Sequence, residues 1–199
     1  MLLPRRKQIL TSAPAFYLQT IPENEKHVKM CGKETAKVVL VTGHPTQEEL
    51  DSGIPFATQG GRVWLSLLKD ASGYDVEDML VFSSSPYGKA ASVKTTKHTL
   101  ELCYKLSSVA PRVFLFCGAV EFGLTINGFR KKASSGLYGA IMYLPQLQGS
   151  KVSVLPTPLN LFTESEDWKE QRNVQYHQLQ LQKVFARLTK NLKNAGELT

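Results

Sequence analysis

Small polar turns follow four short apolar runs of this chain, and they contain the residues best suited to chemistry. The turns read TGHPT, SSSPYGK, CGAVEFG and LPTPLNLF. In the first turn, His44 is the ionisable side chain beside the proline, and an imidazole can accept a proton from water or, when charged, stabilise an anion. The stretch continues through Glu48 and Glu49 to Gly53-Ile54-Pro55-Phe56, where an aromatic ring follows a proline.

The elements that position these turns alternate between strand and helix. Runs of β-branched or aromatic residues that end in turn formers predict strands at Lys37–Gly43, Asp78–Ser84, Arg112–Gly118 and Lys151–Pro156. Apolar residues at helical spacing predict two intervening helices, which carry Val63, Leu67 and Leu68 and then Leu100, Cys103 and Leu106. This order predicts parallel βαβ units, in which a ligand site lies beyond the carboxyl ends of the strands.

A single globular domain accounts for the 199 residues, of which 42% are hydrophobic. Residues 1–36 show no clear period and are expected to pack on the domain as an arm. Residues 37–194 are expected to form the α/β domain, and residues 195–199 a tail. A last helix is predicted from about Glu166 to Lys193, with an apolar stripe against a charged outer face; the stripe consists of Val174, Leu179, Leu181, Val184, Phe185 and Leu188.

The formal net charge of +7 favours an anionic partner such as nucleic acid or a phosphate-bearing surface. The alternative is a solvated basic surface without a partner. Clustering of the basic residues favours binding, and the clusters are Arg5-Arg6-Lys7, Arg130-Lys131-Lys132 and the series Lys183, Arg187, Lys190 and Lys193.

Other features narrow the class of protein. No apolar run reaches the roughly 18 residues of a membrane span, and the first residues lack the apolar centre of a secretory signal. We therefore expect an intracellular protein, cytoplasmic or nucleoid-associated, with an organelle leader left open and no membrane partner. The cysteines Cys31, Cys103 and Cys117 share no short spacing, so reduced thiols, two of them buried, are expected rather than a disulfide framework or a zinc site.

The ordered motifs resemble those of the uracil-DNA glycosylase superfamily, in the layout of its families four and five. Pro45 matches the proline of a first motif that reads Gly-Glu-Ala-Pro-Gly, Glu48 and Glu49 match an acidic stretch, and Gly53-Ile54-Pro55-Phe56 matches Gly-x-Pro-Phe. PRVFLFCGAVEFGL is similar to the family's Pro-(apolar run)-Leu-Gly-Ala-x-Ala segment, and VSVLPTPLNLF to its second motif, His-Pro-Ser-Pro-Leu. The likeness covers about Val38 to Leu188. It implies a three-layer α/β/α sandwich with a central four-stranded, mainly parallel sheet.

The resemblance also implies roles for single residues. Phe56 would stack on a base flipped out of the duplex, in a pocket formed with Gly43, Pro45 and Ser83; the alternative is a core phenylalanine that closes a turn. Leu159 matches a leucine that the family inserts into the duplex in place of the flipped nucleotide. The residues expected to contact DNA are Pro156, Thr157, Pro158 and Leu159 together with Arg130, Lys131 and Lys132.

Three catalytic positions depart from the family pattern. Family members carry Asp, Asn or Glu before the motif proline, whereas this chain reads Thr42-Gly43-His44-Pro45. His44 is therefore the residue expected to take the catalytic role. The second-motif histidine corresponds to Leu155, and the asparagine that reads the pyrimidine edge aligns with Ser83 or Ser84. Loss of an acid or base and of one oxyanion donor removes on the order of 10⁴–10⁷ in rate. Ordinary uracil excision is therefore expected to be weak or absent.

Two other branches of the superfamily fit less well. In one branch, a histidine from a basic loop attacks the sugar. His98 stands at the end of a basic loop here, but the arginine-rich signature of that branch is missing. The iron–sulphur branch needs four cysteines, and only Cys103 matches one of those positions. No cofactor and no metal are therefore expected.

Three functional hypotheses remain open at this level. The first is a protein that binds duplex or single-stranded DNA and has lost the catalytic activity of the family. Such a protein could also have a protein partner in replication or repair. The second is a divergent glycosylase that hydrolyses the N-glycosidic bond of a modified base. The third is a structural subunit of a larger assembly, marked by stable subunit contacts in place of DNA binding.

Overall fold

The structure is a computed structural model that describes residues 26–85, 93–118, 135–158 and 161–198. Its strands are β1 (Val38–Thr42), β2 (Met79–Ser83), β3 (Val113–Cys117), β4 (Met142–Tyr143) and β5 (Lys151–Leu155). Its helices are α1 (Gln47–Ser52), α2 (Gln59–Ser72), α3 (Val93–Val109) and α4 (Trp168–Asn194). Short 3₁₀ helices lie at Val76–Asp78, Ser135–Leu137 and Pro145–Leu147.

The strands form one mixed sheet in the order β2-β1-β3-β5-β4. Strands β2, β1, β3 and β5 are parallel, and β4 pairs antiparallel with β5. The four predicted strands are confirmed to within one residue at each end. The prediction of four strands in the sheet is wrong by one, because β4 has only two residues and is too short to show an alternating pattern.

Helices cover both faces of the sheet. Successive residues of β1 point to opposite faces: Val39 and Val41 pack towards α3, while Val38 and Leu40 pack towards α2 and α4. Both faces are therefore buried, which is why the parallel strands read as continuous apolar runs rather than alternating ones. The result is an α/β sandwich with the sheet between two layers of helices.

The buried face of α4 differs from the predicted apolar stripe. Its buried residues are Leu181, Phe185, Leu188 and Leu192, with Val184 partly buried against the same core. Leu179, predicted on this stripe, is 50% exposed. The reason is helical geometry, because Leu179 lies two residues before Leu181 and so points about 160° away from it.

The two ends of the described chain pack on the domain. Val28 and Met30 are buried, and Cys31 forms an antiparallel bridge with Val81 at the free edge of β2. After α4, Glu197 forms ion pairs with Lys37, at 2.7 Å, and with Lys151. Burial alone raises the pKa of Glu197, but hydrogen bonds from these two lysines outweigh it and hold the pKa below its usual value. Glu197 thus ties the end of the chain to the amino ends of β1 and β5.

Two of the three cysteines are buried, as predicted: Cys103 on α3 and Cys117 at the end of β3. Burial raises the pKa of the Cys103 thiol. In the described part of the chain, no helix is long and apolar enough to cross a membrane.

Candidate functional site

The carboxyl ends of the four parallel strands lie along one edge of the sheet. Ser83, at the end of β2, donates a hydrogen bond from its hydroxyl to the carbonyl oxygen of Gly43 at 2.7 Å. On the other side, the Gly118 amide after β3 donates to the Leu155 carbonyl at the end of β5 at 2.8 Å. The turns singled out in the sequence are therefore neighbours in space, and Pro156 follows directly at the same edge.

Part of the predicted site lies outside the described residues. This holds for the segments 86–92, 119–134 and 159–160, which follow β2, β3 and β5. Arg130, Lys131, Lys132 and Leu159 fall in these segments, so their predicted DNA contacts stay predictions.

The serines after β2 differ in what their hydroxyls can still bind. Ser83 donates to Gly43 and accepts from the Ser85 amide at 3.1 Å, so its hydroxyl helps to hold the turn itself. Ser84 is also buried, but its hydroxyl has no hydrogen-bond partner in the described part of the chain. Buried hydroxyls are nearly always paired. Of the two positions aligned with the family's asparagine, Ser84 is therefore the one with hydrogen-bonding capacity left for a ligand.

Phe56 is held in an unusual backbone conformation. Its φ is +58°, in the left-handed region that non-glycine residues seldom adopt. Its amide donates to a carboxylate oxygen of Glu49 at 2.6 Å. The start of α2 presses against it so closely that a Cβ on Gly61 would lie 2.8 Å from the Phe56 Cα. A charge-assisted hydrogen bond and a required glycine together fix this residue.

The Phe56 ring lies inside the core beside the end of β5. It is 2% exposed and stacks on Trp64, with ring centroids 5.1 Å apart and an interplanar angle of 28°. Trp64 donates from its indole nitrogen to the Pro156 carbonyl at 2.9 Å and meets Phe185 edge-on. This burial fits the alternative prediction of a core phenylalanine that closes a turn. The Trp64 side chain connects the Phe56 ring to the Pro156 carbonyl.

The acidic stretch of the first motif has a structural role. Thr46 and Glu49 form a capping box at the start of α1, in which a Glu49 oxygen accepts from the Thr46 amide at 2.8 Å. The other Glu49 oxygen accepts from Phe56. Glu48 is exposed, with an oxygen 4.0 Å from the Arg62 guanidinium. Sequence analysis missed this capping box, although Thr46-Gln47-Glu48-Glu49 has its spacing.

The remaining predicted site residues have unequal access to solvent. His44 is exposed beyond the end of β1, Gly43 is half-buried and Pro45 is buried. Pro156, Thr157 and Pro158 are half-buried, and the Pro158 carbonyl would lie 3.1 Å from a Cβ on Gly60. Leu155 is fully buried in the core against α2 and α4, so its side chain brings no polar group to this edge.

Two surface cavities lie away from this edge. One of about 420 Å³ is lined by Ala71, Ala186, Thr189, Lys190, Lys193 and Asn194, and one of about 340 Å³ by Ala140, Ile141, Tyr143, Asn191, Asn194 and Ala195. Both flank the carboxyl end of α4, which lies at the amino ends of the strands. Among the described residues, no group of three His, Cys, Asp or Glu side chains is placed to hold a metal ion.

No protein-family model matches the chain, and no curated protein is significantly similar to it.

Proposed function

We propose that this chain is a DNA-binding protein with the layout of the uracil-DNA glycosylase superfamily and without ordinary uracil excision. The observation that carries the proposal is the meeting of the motif positions at one edge of the sheet. Ser83 is hydrogen-bonded to Gly43, and Trp64 links Phe56 to Pro156. Residues far apart in the chain thus gather at the edge where an open parallel sheet binds its ligand.

The proposed loss of chemistry rests on what the described motif residues do. Water activation needs a carboxylate or amide beside the motif proline, and both oxygens of Glu49 accept hydrogen bonds that hold α1 and Phe56. Glu48 points to Arg62 at the surface. Leu155 has no donor to stabilise a departing pyrimidine anion. A positioned acid or base typically raises the reaction rate by about 10²–10⁴-fold, and one oxyanion donor raises it by about 10²–10³-fold.

The positive net charge of the protein supports DNA as the partner. With a net charge of +7, the protein has a surplus of cations for phosphate groups. Neutralising phosphates with Lys and Arg releases condensed counterions, and this release supplies most sequence-independent affinity for DNA.

The proposal predicts duplex binding that weakens steeply with salt. We expect the logarithm of the association constant to fall linearly with the logarithm of the salt concentration, by about 0.9 per phosphate contact. Charge reversal at Arg130, Lys131 and Lys132 should reduce that slope by about 2.7, on any duplex sequence. Fluorescence anisotropy of a labelled duplex at several salt concentrations measures both quantities.

The matched control reverses three exposed lysines from other parts of the sequence, Lys29, Lys33 and Lys105. It should leave the slope close to that of the wild type. Affinity that stays flat from low to moderate salt would rule out DNA as the partner.

A second candidate function is excision of a modified base. It is favoured by two features of the same edge. His44 is exposed beside Gly43, and the Ser84 hydroxyl has no hydrogen-bond partner among the described residues. His44 would handle water or charge, and Ser84 would bind a polar edge of the base. Incubation with oligonucleotides carrying a panel of modified pyrimidines, followed by alkaline cleavage, separates this candidate from a silent binder.

A further inference from the structure

The outer face of α4 concentrates positive charge. From Gln171 to Asn194 the helix contains five Lys or Arg residues and no Asp or Glu, and the five are Arg172, Lys183, Arg187, Lys190 and Lys193. At about 100° per residue, all five point within about 60° of the Arg172 direction. None of them forms an ion pair with a carboxylate in the described part of the chain. We call this face, from Arg172 to Lys193, the α4 ridge.

The α4 ridge also exposes apolar side chains between its cations. Tyr176 is 59% exposed and Leu179 is 50% exposed, and both point in the same sector as Arg172 and Lys183. The His177 ring meets Tyr176 edge-on, with centroids 5.7 Å apart. One turn before the ridge, Trp168 is 62% exposed on the same side. Two large aromatic rings, those of Trp168 and Tyr176, are therefore exposed on the side of α4 that carries the cations.

Two carboxylates near the start of α4, those of Asp167 and Glu170, are engaged elsewhere. Asp167 accepts from the Lys169 amide as the helix cap at 2.8 Å, and Glu170 accepts from the Thr163 hydroxyl at 3.2 Å. Glu170 points about 160° away from the Arg172 direction. The ridge therefore presents about 32 Å of helix with one sign of charge.

We propose that the α4 ridge is a binding surface for single-stranded nucleic acid. Its cations would neutralise phosphates, while bases would stack on Tyr176 and contact Leu179. A duplex already stacks its bases on one another and offers only groove edges, whereas a single strand presents base faces to aromatic side chains. The combination of exposed rings and cations on one helix face fits the single strand better than the duplex.

The residues of this surface all lie on α4, and none of them belongs to the strand-end site. The opposite side of α4 carries Leu181, Phe185 and Leu188 into the core, so the ridge faces away from the sheet. The proposal therefore does not rest on the proposed function, and each can fail alone.

The first test removes charge. A labelled single-stranded oligothymidylate of about 16 nucleotides is titrated with the protein and followed by anisotropy. The double variant Arg172→Gln/Lys183→Gln should bind about 25-fold more weakly at about 0.1 M salt, or about five-fold for each lost phosphate contact. The matched control Lys33→Gln/Lys105→Gln removes two exposed lysines elsewhere and should bind like the wild type.

The second test removes stacking without changing charge. Tyr176→Ala should weaken binding of the same oligonucleotide by about 5- to 150-fold, as expected for one lost base–aromatic stack. Tyr104→Ala, which removes a 50% exposed tyrosine from α3, is the control and should have no effect. Circular dichroism of each variant confirms that the helices are intact. Duplex affinity should be unchanged by Tyr176→Ala.

Three results would overturn the proposal. The first is single-strand affinity that is unaffected by the charge variant. The second is affinity that depends on the charges but not on Tyr176, which would indicate a generic polyanion site. The third is binding of polyaspartate or of phosphatidylserine vesicles as tight as that of the oligonucleotide, which would indicate an acidic protein or a membrane surface. Failure of duplex binding with single-strand binding intact would instead remove the strand-end proposal and leave this one standing.

Discussion

Duplex DNA that carries one uracil is expected to stay intact after incubation with this protein and alkaline treatment. This expectation rests on the proposed function, in which two catalytic roles are missing at once: Leu155 would provide no donor for a departing base, and both carboxylate oxygens of Glu49 hold α1 and Phe56. Loss of both roles would lower the rate by on the order of 10⁴–10⁷. Gel analysis of the cleaved fraction over time, against a sample without protein, measures the effect.

Variants at His44 and Leu155 give this experiment its controls. The double variant His44→Asp/Leu155→His supplies both missing groups, and cleavage by it alone would locate the loss in these two positions. Because Leu155 is fully buried, the new imidazole would lie in the core beside α2 and α4, and the fold of the variant must be checked. Robust excision by the wild type that persists in His44→Ala would show that another residue handles the water.

The largest stability effect is expected for Trp64→Ala. Trp64 is fully buried, stacks on Phe56, meets Phe185 edge-on and bonds the Pro156 carbonyl. Truncating a buried tryptophan costs about 3–5 kcal/mol through lost burial and a cavity. For a chain of this length, that corresponds to a fall in Tm of about 6–20 °C. Thermal unfolding followed by circular dichroism measures it.

The other tryptophan of the chain is the matched control. Trp168 is 62% exposed, so Trp168→Ala should change the free energy of unfolding by less than about 0.5 kcal/mol. Trp64→Phe should fall between the two, because it keeps a stacking ring but leaves the Pro156 carbonyl unpaired, at a cost of about 1–3 kcal/mol. Equal stability of Trp64→Ala and Trp168→Ala would contradict the packing described for Phe56 and Pro156.

The sequence predicted the parallel framework well for a physical reason. Strands buried on both faces need continuous β-branched and aromatic runs, and those runs end where the chain leaves the sheet. The ends of β1, β2, β3 and β5 were therefore visible within one residue. Strand β4 was not, because the two residues Met142 and Tyr143 leave no periodic signal.

The candidate site was predicted less completely than the framework. Its place at the strand ends follows from parallel topology, but the use of each side chain depends on contacts that no local pattern encodes. The bond from Phe56 to Glu49 spans seven residues, and that from Trp64 to Pro156 spans 92. Leu179 was wrongly predicted to lie in the core. Its apolar side chain suggested burial, but its position on α4 turns it towards solvent.

Amide hydrogen exchange with and without excess duplex DNA tests the central claim most directly. DNA bound at the strand ends would slow exchange in peptides covering Gly43 and His44, the serines Ser83 to Ser85, and Thr157. Peptides from the amino ends of the strands and from the α4 ridge should exchange as in the free protein. Unchanged exchange at all three strand-end segments, under conditions where anisotropy shows the duplex bound, would contradict the claim that this edge of the sheet is where the protein binds DNA.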